Sequence, residues 1–166
     1  MQLKEFYDYK NQLMEDLLTN EEIVHLINPN IAMEDAHSLA YTQIFPCEYV
    51  PETVDDGQTY VMFDVDVNST YEKTFYEPVL YIWMIVHRSQ MRLPSGGVRA
   101  DALCSAIAEA INGSFQYGMG ALDFVSAKRF APMTDYVGKM LTFRARDFSK
   151  AYDPNRYVPA NRKRAT

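Results

Sequence analysis

The chain has 166 residues, of which 48% are hydrophobic, 23% charged and 13% aromatic. This length and composition favour one globular domain and exclude a mostly disordered, collagen-like or disulfide-rich chain. The net charge of −6 hides an asymmetry: residues 1–83 hold 3 Lys and 16 Asp/Glu (net −13), and residues 84–166 hold 13 Lys/Arg and 6 Asp/Glu (net +7). Such an asymmetry concerns surfaces and partners, not fold.

The first thirty residues predict two helices. Apolar residues recur at three- and four-residue spacing from Leu3 to Leu18, as on one face of a helix. Thr19, followed three residues later by Glu22, resembles a capping box and predicts that a second, short helix begins here. Pro29 ends that helix, because proline disfavours helical geometry in the residue before it. Residues 29–57 have no sustained period and predict a long irregular connection, with one extended piece near 44–50.

Two strands are predicted next. Residues 58–68 alternate, which predicts a half-buried strand with a solvated, acidic outer face. The inward set is Val61, Phe63, Val65 and Val67, and the outward set is Tyr60, Met62, Asp64 and Asp66. Residues 78–88 are apolar on both faces, which predicts a strand covered on both sides at the centre of its sheet.

A loop, a helix and a hairpin follow. Residues 92–97 predict a loop, with Ser95 as the cap of a helix that begins at Val98 and ends at Gly113. The buried face of this helix is predicted to consist of Leu103, Ile107 and Ile111 with the small residues Ala102, Ala106 and Ala110. Two strands, at about 121–131 and 136–148, are joined by a turn at 132–135. In the second of these strands Leu141, Phe143 and Ala145 are predicted to point inward, and Thr142, Arg144 and Arg146 outward.

The predicted fold class is α+β: N-terminal helices, an antiparallel-leaning sheet of about four or five strands with one helix packed on it, and an extended C-terminal arm. Residues 1–148 are expected to form a single domain. Residues 149–166 form the arm, which holds five basic side chains against one Asp and is expected to become ordered only on a partner. The sequence shows no signal peptide and no apolar run long enough to span a bilayer, so we expect no membrane contact.

No catalytic, cofactor or metal site is predicted. Asp64 and Asp66 are close enough on one strand face to share a divalent ion, but the surrounding sequence lacks the ligand register of a calcium loop. Cys47 and Cys104 are isolated and are predicted to be reduced thiols, Cys104 within the core. His87 ends the buried strand near the 92–97 loop, which leaves open the hypothesis of a hydrolase or transferase that acts through these residues. No nucleophile motif accompanies His87.

Interface chemistry is the stronger signal. The chain contains 12 Tyr, 9 Phe and 9 Met, residue types enriched in the buried cores of protein interfaces. Basic residues on the last strand and in the arm are suited to phosphates or to an acidic protein neighbour, and the acidic half of the chain is such a neighbour if copies pack head to tail. The candidate interface residues are Asp64, Asp66, Lys139, Arg144, Arg146, Lys150, Arg156, Arg162, Lys163 and Arg164.

The order of elements resembles that of a known protein family. The N-terminal helix LKEFYDYKNQLMEDLL precedes an extended segment and strand, IFPCEYVPETVDDGQTYVMFDVDV, then a strand that ends in polar residues, VLYIWMIVHRSQM, and the helix VRADALCSAIAEAING. Over residues 1–148 this order is similar to that of the tail terminator, or tail-completion, proteins of long-tailed bacteriophages. Those are small α+β proteins that form a hexameric ring between the tail tube and the head-side connector. Residues 78–113 carry most of the resemblance.

The resemblance implies a structural, non-enzymatic virion protein of the tail or neck, made in the host cytoplasm. It implies a homo-oligomeric ring of six without a cofactor, with the tail tube protein and a head-closure or connector protein as partners. DNA would pass through the channel without sequence-specific binding, and the arm after Phe148 would reach a neighbouring copy. The alternative is a small nucleic-acid-binding or regulatory protein that uses the basic arm.

Overall fold

The computed structural model describes residues 6–49, 57–69, 75–115, 121–145 and 147–148. Its helices are α1 (Phe6–Thr19), α2 (Glu21–Ile27) and α3 (Arg99–Ile111), with 3-10 helices at Met33–Leu39 and Arg88–Gln90. Its strands are β1 (Ile44–Phe45), β2 (Thr59–Ser69), β3 (Phe75–His87), β4 (Asp123–Phe130), β5 (Tyr136–Arg144) and β6 (Asp147–Phe148). The C-terminal arm, 149–166, lies outside the described residues.

The strands form one sheet in the order β1-β2-β3-β5-β4, and β6 pairs with the first residues of β3. The pairs β2–β3, β3–β5 and β5–β4 are antiparallel, whereas the two-residue β1 runs parallel to β2. β3 lies at the centre, where Trp83 is opposite Met62 of β2 on one side and Met140 of β5 on the other. The α+β class, the antiparallel-leaning sheet and the central position of this strand are confirmed.

The helices pack on one face of the sheet and enclose the main core. On β2, Val61 and Phe63 are fully buried there, as the alternation predicts, whereas Val65 and Val67 farther along the same face are only partly buried. Each fully buried apolar side chain of this layer stabilises the fold by roughly 2 kcal/mol. The core also includes Leu13 and Leu17 of α1, Leu80 and Ile82 of β3, Leu103 and Ile107 of α3, and Leu141 and Phe143 of β5.

The opposite face of the sheet is covered at one end only. Tyr60, Met62, Ile85 and Tyr136 are buried there in a second, smaller cluster, against which Phe45, Trp83, Phe130 and Met133 pack. The prediction that Tyr60 and Met62 face solvent is therefore wrong, because Phe45 and the turn that holds Met133 fold over this end of the sheet. Farther along the same face Asp64 is half-buried and Asp66 exposed, so the acidic part of the pattern is as predicted.

Residues 29–49 are more regular than the sequence pattern predicts. They contain the 3-10 helix Met33–Leu39, which buries Ala36 and Leu39, and then β1 inside the predicted extended piece. A 3-10 helix of seven residues is too short to show a sustained hydrophobic period, which explains why the pattern did not reveal it.

α2 begins at a different cap from the predicted one. The side-chain oxygen of Asn20 accepts a hydrogen bond from the backbone N–H of Ile23 at 3.1 Å. The Thr19 hydroxyl instead donates to the Glu15 carbonyl oxygen at 2.8 Å, inside α1. The capping-box prediction is wrong by one residue, because Thr19 is still helical in α1.

We expect Asn20→Ala to lower the free energy of unfolding by about 1 kcal/mol, because the first turn of α2 loses the acceptor for the Ile23 N–H. Thr19→Ala is the matched control and should lower it by less than about 0.5 kcal/mol. Urea denaturation followed by circular dichroism measures both changes. A larger loss in Thr19→Ala than in Asn20→Ala would contradict this assignment of the cap.

α3 packs on the main core with a narrower face than predicted. It begins after Val98, which caps the helix without a side-chain hydrogen bond, so Ser95 does not have the predicted capping role. Ala106 is buried, but Ala102 is half-buried and Ala110 exposed. Each step of four residues turns about 40° around a helix, so alanines on either side of Ala106 rotate away from the sheet.

The hairpin of β4 and β5 around residues 132–135 is confirmed. Leu141, Phe143 and Ala145 are buried as predicted, but Thr142 is also buried, because Tyr81 of β3 and Ser126 of β4 flank it on both sides. β5 ends at Arg144, and pairing along β3 resumes with β6.

Candidate functional site

β4 forms an edge of the sheet and is exposed over most of its length. Phe124 and Val125 each leave 46% of their surface exposed, and the exposed Lys128 and Arg129 follow them. β5 pairs with one side of β4, and no strand in the described part of the chain pairs with the other. Such an edge presents unpaired N–H and C=O groups to another chain, while its charges and its bulge at Phe124/Ser126 disfavour indiscriminate pairing.

Two of the predicted interface residues lie on β5, next to β4. Lys139 is opposite Arg129 and forms an ion pair with Asp101 of α3 at 3.1 Å. Arg144 forms an ion pair with Glu77 of β3 at 3.4 Å. Both pairs are solvent-accessible and therefore contribute at most about 1 kcal/mol each. Lys128, Arg129, Lys139 and Arg144 together are termed the basic edge.

Acidic side chains lie toward the other lateral edge of the sheet, on β2 and beside it. Asp64 forms an ion pair with Lys10 of α1 at 2.6 Å, and the Lys10 ammonium also donates to the Pro46 carbonyl oxygen at 2.9 Å. Lys10 thus ties the segment after β1 to β2 and neutralises part of the local charge. Glu48, Asp64 and Asp66 are termed the acidic edge; within the described ranges, neither Glu48 nor Asp66 has a cation bound to it.

The strand order separates these two charged groups. β3 and β5 lie between β2 and β4, which places the outer strands about 14 Å apart at the usual spacing of 4.8 Å. Asp64 and Asp66 therefore lie together near one lateral edge. Lys139 and Arg144 lie on β5 toward the other edge, five residues apart and on opposite faces of the sheet. The remaining predicted interface residues, Arg146, Lys150, Arg156, Arg162, Lys163 and Arg164, lie outside the described residues.

A groove of about 340 Å³, here called the acidic groove, lies on the uncovered part of the sheet. Tyr81 and Trp83 stack along β3 with ring centroids 5.8 Å apart, and both are only half-buried. The prediction that β3 is covered on both faces is wrong at these two positions. The i, i+2 spacing of the two aromatic residues was the signal that could have revealed the groove. Its lining is Glu48, Asp64, Asp66, Tyr81, Trp83 and Met140.

His87 has a local structural role. Its Nδ1 lies 2.7 Å from the Ser89 hydroxyl and accepts from the Ser89 backbone N–H at 3.3 Å, which caps the 3-10 helix Arg88–Gln90. The ring meets that of Tyr136 edge-on at 5.2 Å. Nucleophilic catalysis by a Ser–His pair also requires a group that orients the imidazole, and among the described residues no carboxylate bonds to His87.

Within the described ranges, no three His, Cys, Asp or Glu side chains are placed to hold a metal ion. No helix among those residues is long and apolar enough to cross a membrane. Cys47 is exposed, and Cys104 is partly buried beside the core; both are free thiols. Burial raises the pKa of the Cys104 thiol above its usual value, which disfavours the reactive thiolate.

Residues 11–145 match the sequence profile of the YomW family. The chain belongs to the YomW family. The matched range includes every residue of the basic edge and the acidic edge and excludes the C-terminal arm. A chain from the virion of a native gene transfer agent (GTA) particle is similar to this YomW-family chain, with 26% sequence identity over 74% of this chain and 90% of that chain and a TM-score of 0.40. No curated protein matches the sequence.

Proposed function

We propose that this YomW-family chain is a structural virion protein that assembles into a head-to-tail ring at the head–tail junction of a phage-type particle. The observation that carries the proposal is that the basic edge and the acidic edge lie toward opposite lateral edges of one sheet. A head-to-tail ring needs two different, complementary surfaces on every subunit, and these edges fit that requirement. The phage-derived name of the family and the sequence resemblance to tail terminator proteins also support it.

In this proposal β4 is the centre of one contact surface. Phe124 and Val125 supply apolar area, and the exposed backbone of the strand supplies hydrogen-bonding groups to the next copy. Lys128 and Arg129 attract the acidic edge of that copy and set the orientation of approach. The Lys139 and Arg144 ion pairs are accessible enough to exchange partners when the surfaces meet.

The proposed ring has six copies and no enzymatic activity. It ends the tail tube and joins it to the head-side connector, so its proposed partners are the tail tube protein and a head-closure or connector protein. DNA would pass through the channel without sequence-specific binding. These roles place the protein in the tail or neck of the virion.

The test is the oligomeric state of the full chain by sedimentation velocity, with and without tail tube protein. We expect the wild type to sediment as a closed oligomer of six. Lys128→Glu/Arg129→Glu should sediment as a monomer, with association weakened by about 100-fold or more, because two reversed charges face the acidic edge of the next copy. Arg88→Glu/Arg92→Glu is the control: it makes the same charge change at exposed arginines that are not on β4, and it should leave the oligomer intact.

Charge exchange makes the test specific. Adding Glu48→Lys/Asp66→Lys to the Lys128→Glu/Arg129→Glu variant reverses both surfaces and should restore the oligomer. A wild type that stays monomeric with tail tube protein present, or an equal loss in the Arg88/Arg92 control, would overturn the proposal. A salt-dependent gel shift of duplex DNA by a monomeric protein, lost on reversal of Arg162, Lys163 and Arg164, would favour nucleic-acid binding instead.

A further inference from the structure

The acidic groove combines excess negative charge with accessible aromatic surface. Three carboxylates line it, and within the described part of the chain the cation that binds one of them is Lys10, on Asp64. The stacked rings of Tyr81 and Trp83 form its floor. Carboxylates bind Lys and Arg side chains, and the faces of Trp and Tyr bind cations by cation–π attraction. The groove therefore has the chemistry of a site for a basic peptide segment.

The C-terminal arm of the chain has the complementary chemistry. Residues 149–166 hold five basic residues, one Asp, and the tyrosines Tyr152 and Tyr157. The described chain ends at Phe148, which pairs with Phe75 at the beginning of β3. Tyr81 lies six residues farther along β3, about 20 Å away at roughly 3.3 Å per residue. The arm spans up to about 60 Å when extended, so it reaches the groove of its own subunit.

We propose that residues 149–166 bind in the acidic groove of their own subunit, with basic side chains on Glu48 and Asp66 and over the rings of Tyr81 and Trp83. Tethering favours this arrangement, because a segment held at this distance has an effective concentration in the millimolar range. In the proposed ring, the basic edge of the next copy contacts the same acidic side chains and would displace the arm. The arm therefore binds in the groove of a subunit that is not part of a ring. This binding does not depend on ring formation.

Trp83 reports directly on the groove, because it is the one tryptophan of the chain. The experiment measures acrylamide quenching of Trp83 fluorescence in the full-length protein, diluted until sedimentation velocity shows a monomer, at low salt and in about 0.5 M NaCl. We expect weak quenching of the wild type at low salt and an increase of about two-fold at high salt, because screening releases the arm. Arg162→Glu/Lys163→Glu/Arg164→Glu should show the strong quenching at both salt concentrations. Arg88→Glu/Arg92→Glu is the control and should behave as the wild type.

Reversal of the groove provides a second arm of the test. Glu48→Lys/Asp66→Lys should expose Trp83 as the arm variant does, and combining the two sets should restore protection. Both positions are exposed, so circular dichroism should show an unchanged fold. Unchanged quenching after arm reversal would overturn the proposal, as would protection that grows with protein concentration, which places the arm on another copy. Protection of Trp83 in a chain that never forms a ring supports this inference and contradicts only the proposed function.

Discussion

Gly138→Ala should lower the free energy of unfolding by about 3 kcal/mol or more, because no space exists for a methyl group at this position. Gly138 lies in β5, opposite Ile85 of β3 and Phe130 of β4. A Cβ atom there would collide with the carbonyl oxygen of Met84 and lie 3.0 Å from its carbonyl carbon and 3.1 Å from the Cα of Ile85. These are backbone atoms of the central strand, so the clash is relieved only by separating β5 from β3.

The control for this substitution is Gly113→Ala. Gly113 has a φ of +75°, and a Cβ added to it would meet no atom within 4 Å. Its replacement should therefore cost only the strain of a left-handed residue, about 1 kcal/mol. Urea denaturation of both variants, compared at the same temperature, measures the difference. Equal losses at the two glycines would show that β3 and β5 do not approach as closely as described.

Arg99→Met should lower the free energy of unfolding by about 3 kcal/mol, because two carbonyl groups lose a charged donor. The Arg99 side chain is buried at the beginning of α3. Its Nε donates to the Gln90 carbonyl oxygen and its Nη1 to the Leu26 carbonyl oxygen, each at 2.9 Å. One side chain thus joins the end of α2 to the 3-10 helix after β3. Burial lowers the pKa of Arg99, but the guanidinium remains charged at neutral pH.

Arg92→Met is the control, since Arg92 is exposed and lies a few residues away. It should change the free energy of unfolding by less than about 0.5 kcal/mol. Arg99→Lys should recover only part of the loss, because a compact ammonium group does not reach both carbonyl oxygens as the planar guanidinium does. Stability of all three variants in urea tests the assignment. Equal stability of Arg99→Met and Arg92→Met would contradict it.

The parts of the fold predicted correctly are those that depend on local periodicity. The two-residue alternation of β2 from Val61 to Val67, the apolar run of β3 and the turn between β4 and β5 each place a strand where the structure has one. Capping was predicted less well. Thr19 and Ser95 have the right residue type for a cap, but where a helix begins also depends on where the preceding segment ends.

The candidate site, like the fold, could be predicted from the sequence only in part. Sequence position shows the acidic and basic halves of the chain. Together with strand alternation it indicates the candidate residues Asp64, Asp66, Lys139 and Arg144. That these residues form two contact surfaces stays a prediction. Their positions relative to one another follow from the strand order, which places β2 and β4 toward opposite lateral edges of the sheet. The Lys10–Asp64 and Lys139–Asp101 ion pairs join residues far apart in sequence, so no local sequence pattern predicts them.

The α+β class, the order of elements and the separation of charge between the two halves can be read from the sequence, because they depend on composition and on periods of a few residues. Which apolar outer residues are covered, how closely β5 approaches β3 at Gly138, and why Arg99 is buried become apparent in the three-dimensional structure alone. The tertiary structure also brings Glu48, Asp66, Tyr81 and Trp83 together in one groove. Those features arise from contacts between segments distant in sequence, and their geometry is set by strand pairing and packing.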